Sequence, residues 1–263
     1  IASAADLALL ATHVNSGTNY SGTYFWQTND IDLSAYNSGS GWVPIGNYTN
    51  ASTNNPFSGR YGVASGKKIT GLFINNTSSD YIGLFGYTKN ANLQNVVLEG
   101  VNITGGSSTG ALVGWADGTY IQYCSSAGSV VGSNIYVGGL LGGLDGLLGS
   151  ASNSYINDCY STATVSGTNY VGGLIGWNYK IYIVNNCYAS GNVSGTGNNI
   201  GGLVGSNEQN STISNSHASG SVTTTGAGNN TGGLIGYNYQ STISNSYATG
   251  QISSSSFSTG GLV

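Results

Sequence analysis

Gly232-Gly233-Leu234-Ile235-Gly236 decides the fold, because the sequence keeps returning to it. Copies begin at Gly172, Gly201 and Gly260, a close variant runs Gly138-Gly139-Leu140-Leu141-Gly142, and weaker copies are Gly110-Ala111-Leu112-Val113-Gly114 and Gly83-Leu84-Phe85-Gly86. The central leucines fall at positions 84, 112, 140, 174, 203, 234 and 262, in steps of 28, 28, 34, 29, 31 and 28 residues. A fixed period of this length marks an array in which each repeat buries its apolar face against its neighbours. The step of 34 contains an insertion, Gly143 to Ser150, expected to loop out between coils.

Outward from that stretch, each unit carries a second apolar segment, clearest from Ser241 to Ile252. It recurs as Ser211 to Val222, Tyr182 to Val193, Tyr155 to Val165, Tyr120 to Val130 and Leu93 to Ile103. Units of this size without helical periodicity predict an all-β chain, with each unit one coil of a parallel β-solenoid and neighbouring coils about 4.8 Å apart. Asn185, Asn215 and Asn245 are read as one column of bends, since Asn tolerates left-handed backbone and forms ladders. Residues 69–263 form the repeats and 1–68 an irregular lead-in, continuous with them as one domain. Within the lead-in, residues 1–17 predict a capping helix, with Ser3 as its cap and Leu7, Leu10, Ala11 and Val14 as its apolar stripe. Thr23 to Leu33 predicts strand, with Tyr24, Trp26 and Thr28 on one face. Trp42-Val43-Pro44-Ile45-Gly46 and Pro56-Phe57-Ser58-Gly59 read as short strands, and 47–55 as the most loop-like segment.

Composition narrows the class. Only 5% of residues are charged, 44 are glycine, and 39% are hydrophobic, with 19 tyrosines. That is too much apolar and aromatic material for a disordered chain. A net charge of -4, spread thinly, offers no basic patch for nucleic acid or anionic lipid. No apolar run approaches the roughly 20 residues of a spanning helix, so no membrane insertion is expected. The absence of Met and the start at Ile1 read as a secreted product whose signal peptide has been removed.

The repeated Gly-Gly-Leu-Val/Ile-Gly, followed by Ile-x-Asn-Cys/Ser-Tyr-Ala-x-Gly, resembles the GLUG-motif repeats of secreted bacterial and archaeal surface proteins. Ala5-Asp6-Leu7, Asn29-Asp30-Ile31-Asp32-Leu33 and the two Trp42 and Pro56 stretches resemble that family's lead-in. Tyr61 to Lys68 departs from it, where the family has a glycine-rich turn. The resemblance implies a right-handed solenoid, found in adhesins, surface-layer-like proteins and accessory regions of a zinc protease. The protease's metal signature, two His four apart with a Glu beside the first, is not in this sequence.

Candidate chemistry is sparse. His13 lies in the predicted helix, and His217 stands where neighbouring units have Tyr160, Tyr188 and Tyr247. Of nine carboxylates, Asp30 and Asp32 form the one close pair, two ligands against the six to eight oxygens that Ca²⁺ takes. A structural role where the cap meets the first coil is expected of them. No catalytic, cofactor or metal residue is expected. Cys124, Cys159 and Cys187 share one column, with Val96 before and Ser216 and Ser246 after. Buried free thiols and a disulfide both remain open, the latter because equivalent Cα atoms lie within bonding range although parallel side-chain vectors fit poorly. With three cysteines one thiol is left over, for which an intermolecular cross-link is conceivable. Tyr160, Tyr188, His217 and Tyr247 predict one aromatic ladder. Tyr87, Trp115, Trp177 and Tyr237 predict a second, suited either to stacking within the solenoid or to binding glycans. Nine Asn-x-Ser/Thr sites, among them Asn47, Asn50, Asn102 and Asn229, fit a secreted protein.

The sequence stops at Gly260-Gly261-Leu262-Val263, within a core segment, which reads either as the edge of an excised fragment or as an end onto which another copy stacks. The expected function is therefore an extracellular structural protein. It self-assembles with copies of itself, head-to-tail or laterally, into a surface layer, sheath or fibre of amyloid-like stability. The alternatives are an adhesin binding cell-surface glycans through the Tyr/Trp ladders and, more remotely, a polysaccharide-active enzyme.

Overall fold

In a computed structural model the structure describes residues 1–50, 53–145, 155–180 and 182–263. The chain is a parallel β-solenoid. An eight-stranded sheet, a branched thirteen-stranded sheet and two six-stranded sheets form its walls, and each runs along the stack of coils. Pairing is parallel and in register, so a residue meets its repeat equivalent: Val171 pairs with Ile200, Ile200 with Thr231, and Thr231 with Thr259.

The Gly-Gly-Leu stretch makes a corner. Its first glycine ends a strand of one six-stranded wall, as at Asn169–Gly172, and Ile175–Tyr179 begins the next wall. The leucines at positions 84, 112, 140, 174, 203 and 234 are fully buried between the two. The second glycine is forced by close approach. A Cβ on Gly173 would lie 2.2 Å from the Gly202 carbonyl oxygen, and one on Gly202 2.1 Å from that of Gly233. No side chain fits between those coils, so the motif repeats with the coil, whereas Ala111 fills the same position, fully buried, in an earlier one.

The remaining corners use left-handed backbone. One column is Asn95, Tyr123, Asp158, Asn186, Asn215 and Asn245, with φ between 48° and 59°. The expected bend column thus holds for Asn215 and Asn245 but is corrected by one residue at its start. Asn185 is a strand residue paired with Ser214, and Asn186 makes the bend. A second column is Tyr81, Ser108, Tyr136, Tyr170, Asn199 and Asn230, where bulky tyrosines adopt the same conformation as asparagine.

The helix Ala4–Asn15 starts at Ser3 with a reciprocal capping box to Asp6, and it buries Leu7, Leu10, Ala11 and Val14 against the core. Strands Tyr24–Gln27 and Ile31–Asp32 follow. The next stretch reverses expectation. Ile45 and Phe57 make isolated bridges to Phe85 and Thr88, whereas the loop-like segment between them holds an antiparallel pair, Asn47–Asn50 with Thr53–Asn55. Its polar residues lack apolar alternation because the hairpin stands off the wall and buries no continuous face. The expected loop at Gly143 to Ser150 is corrected at its first three residues. Gly143, Leu144 and Asp145 finish strand Leu141–Asp145, paired with Trp177, Asn178 and Tyr179, and 146–150 lie outside the described residues.

Candidate functional site

Tyr160, Tyr188, His217 and Tyr247 lie in one column, since each pairs with the next along the thirteen-stranded sheet. Their rings stack at 4.8, 5.2 and 5.0 Å between centroids, within 10° of parallel. Each inner ring therefore spends its faces on neighbouring rings and presents its edge to solvent. A pyranose stacks on an open aromatic face, and the inner rings of this column offer edges instead.

The second expected ladder is not continuous. In register its column runs Tyr87, Trp115, Gly143, Trp177, Ser206, Tyr237. Gly143 leaves a gap that the two indoles close at 5.6 Å. Ser206 separates Trp177 from Tyr237, which stacks instead with Tyr239. Residues that the repeat pattern did not single out complete the cluster: Tyr136 stacks on Trp177 at 4.9 Å and Tyr179 at 4.4 Å. Both indole N–H groups are satisfied, Trp115 donating to Asp117 and Trp177 to Glu208, each at 3.1 Å. Burial pushes the Tyr136 and Tyr170 phenols above their ordinary range, with nearby acidic groups adding to it.

Inside the wall, Asn178 donates to Asn207 and Asn207 to Asn238, both at 2.7 Å, forming a directional amide ladder. It stops below Leu144, which pairs with Asn178 in the preceding coil. The Asn178 carbonyl oxygen is left buried and unpaired there.

The three cysteines are free and buried. The Cys124 backbone N–H points at the Cys159 sulfur at 3.4 Å, and each thiol donates to the carbonyl two residues back. Ser216 and Ser246 make the same bond at 2.7 Å, so hydroxyl and thiol fill one structural role. Burial raises the Cys159 and Cys187 thiols well above their ordinary range. A cross-link to another molecule would require the coil to open.

All nine carboxylates have a partner within the fold. Asp6 caps the helix; Asp30 accepts from the Lys68 N–H, Asp32 from Ser34 and Asp80 from the Ser107 N–H. Asp117 and Glu208 take indole protons, and Asp158 accepts from Asn157 and Asn186. Glu99 pairs with Lys68, and Asp145 with Lys180 at 3.3 Å. Burial pushes the Asp145 carboxyl up, and Lys180 pulls it back. His13 Nδ1 lies 2.9 Å from the Tyr20 hydroxyl. No group of three or more His, Cys, Asp or Glu gathers among the described residues, and no helix there is long and apolar enough to cross a membrane. At the far end, Thr259–Gly260 pairs with Thr231–Gly232, and the Leu262 carbonyl accepts from Leu234 and Ile235. The Gly261 carbonyl oxygen would lie 2.2 Å from a Cβ on Gly233, and Leu262 and Val263 are exposed.

The family model for the GLUG motif matches residues 196–223 and 227–253. Halomucin of Haloquadratum walsbyi is 37% identical over 143 residues, 52% of this chain and 2% of that protein. A protein of Evansella cellulosilytica provisionally named a Gly-rich membrane protein is 41% identical over 99 residues, 36% of this chain and 11% of that protein. The chain therefore spans a small part of the curated relatives it matches. Among solved structures, a protein of Bacteroides ovatus provisionally named an immunoglobulin A1 protease superposes with a TM-score of 0.70 at 20% identity, over 100% of this chain and 83% of that one. That likeness is one of fold. Two consecutive coils of this β-solenoid carry the GLUG motif.

Proposed function

We propose that the chain is a non-enzymatic structural segment of an extracellular surface protein, and that its coils add to coils of other copies, head-to-tail or side by side, in a layer, sheath or fibre. The observation that carries this reading is the register. Every repeat strand meets its equivalent, so the donors and acceptors along one coil edge match those that another coil brings. Two features support it further. With 5% of residues charged, little opposes edge-to-edge growth. Each carboxylate has at least one partner within the fold, and the three thiols are buried. The surface setting draws on the GLUG repeats and the halomucin relative.

Negative-stain electron microscopy over a concentration series tests the assembly. Hoops, sheets or filaments that lengthen with concentration are expected. Single rods of constant length at every concentration would overturn the reading.

A further inference from the structure

The hairpin that the repeat pattern did not foresee encloses a cleft. Gly46, at φ 81°, turns the chain off the wall, and its Cβ position is blocked by the Tyr87 carbonyl oxygen at 2.3 Å. The chain runs out through Asn47–Asn50, returns through Thr53–Asn55, and rejoins the wall where the Phe57 N–H donates to the Tyr87 carbonyl. Asn15 anchors the base, donating to the Pro44 carbonyl and accepting from the Gly46 N–H. Opposite the hairpin stands the left-handed corner at Tyr81. The cleft between them measures about 590 Å³, within the range of small-molecule sites.

Its lining has a definite chemistry. Trp42 lies in the floor, with its indole N–H held by the Leu84 carbonyl at 3.2 Å. Tyr48 and Tyr81 are half-buried, with ring centroids 5.1 Å apart and planes inclined at 47°. They are thus splayed and not stacked face to face, unlike the outer ladder. Asn47, Asn76 and Asp80 contribute amides and a carboxylate. Asp80 is fixed by one oxygen, which accepts from the Ser107 N–H at 2.7 Å, and the second can accept from a ligand. Asp80 is the one charged residue of the described lining, and no Lys or Arg belongs to it. An anion such as a phosphate or uronate would meet a carboxylate with no counter-charge. A neutral polyhydroxylated ligand meets amides and a carboxylate for its hydroxyls and ring surfaces for its C–H faces.

We propose that this cleft binds a short neutral oligosaccharide. The inference is independent of assembly and places glycan recognition away from the Tyr160 column, in a cleft whose Tyr48 packs edge-on against Tyr87 at 5.3 Å. It is tested by titration calorimetry of the full chain with cellotetraose, maltotetraose, mannotetraose and chitotetraose. Tetragalacturonate serves as the anionic control and spermidine as the cationic one.

Saturable binding of at least one neutral tetraose is expected. It should weaken tenfold or more in Tyr48→Ala and severalfold in Asp80→Asn, and stay unchanged in Tyr160→Ala. Asp80→Asn keeps an oxygen for the Ser107 N–H, so its thermal melt should match the parent and separate lost binding from lost folding. The proposal is overturned if no neutral tetraose saturates, or if only spermidine or the uronate binds. It is equally overturned if Tyr160→Ala abolishes binding that both cleft variants retain.

Discussion

The rings of Tyr160 and Tyr188 lie 4.8 Å apart and 1° from parallel. That separation is the spacing between coils, so the stack follows from pairing Tyr160 with Tyr188 in register. Tyr188 also stacks on His217, whereas Tyr247 has one ring partner in the column. Each such pair is worth about 0.5–1.5 kcal/mol beyond the area it buries. Tyr188→Ala is therefore expected to cost about 2 kcal/mol and lower the melting temperature by roughly 4–8 °C. Tyr247→Ala should cost about half as much. Thermal melts followed by circular dichroism compare the two. Equal shifts would show that the stack is decoration and the sheet alone sets stability.

The amide ladder calls for a different experiment, because its strength lies in being complete. Asn207 accepts from Asn178 and donates to Asn238. Asn207→Ala removes both bonds at once, leaving a buried amide above and a half-buried one below. Each buried polar group left without a partner costs about 1–3 kcal/mol, so the variant should lose about 3 kcal/mol or more in urea denaturation. Asn207→Gln, whose amide can reach one neighbour but not hold both, should fall between the parent and the alanine variant. A loss near that of an exposed Asn→Ala would refute the ladder.

Glycine at the coil contact leaves still less freedom. In Gly202→Ala the added carbon would sit 2.1 Å from the Gly233 carbonyl oxygen and 3.0 Å from the Ala218 Cβ. The nearer obstacle is backbone, so the coils themselves must separate. We expect a cost above about 3 kcal/mol, beyond ordinary overpacking, seen as loss of soluble folded protein. Thr223→Ala, on the outer face of a nearby strand, should remain within about 0.5 kcal/mol of the parent. A soluble Gly202→Ala protein melting with the parent would contradict the contact.

These contacts show why part of the molecule could be read from sequence. Gly172-Gly173-Leu174 repeats because backbone meets backbone at Gly173 and the leucine fills the corner, so steric necessity is written directly into residue type. Asn215 and Asn245 betray their bend because Asn is among the few residues at ease in left-handed backbone. Tyr136 and Tyr170 occupy an equivalent corner without advertising it, since tyrosine is not a residue one expects there. Their rings compensate by packing on each other, and that of Tyr136 also on Trp177. The second ladder looked continuous because the aromatic positions recur, but Gly143 and Ser206 interrupt it, and only the register between coils places them in that column. The cleft left no signal at all. It depends on a polar hairpin whose pairing is set by the wall contacts of Ile45 and Phe57, which lie on either side of it.

The last prediction concerns alkaline pH. Burial raises the thiols of Cys159 and Cys187 and the phenol of Tyr61, which donates to Gln27 at 2.7 Å. Burial first, then the bond to Asp117 at 2.6 Å, raises the Tyr87 phenol as well. In the unfolded chain these groups ionise near their ordinary values of about 8.5 for thiols and about 10 for phenols. Above those values the unfolded form has released protons that the folded form keeps, so stability falls as pH rises. Below about pH 8 both forms are protonated and these groups contribute no slope. Urea midpoints should thus be insensitive to these groups from pH 6 to 8, then decline through pH 9–11. Replacing all three cysteines by serine, which already fills the column at Ser216 and Ser246, should delay the onset by removing the thiol part while the phenol part remains. A thiol reagent at pH 8 should label none of the cysteines in the native protein and all three after unfolding in urea. Midpoints that hold level to pH 11, or native thiols that react at the rate of free cysteine, would contradict the buried column.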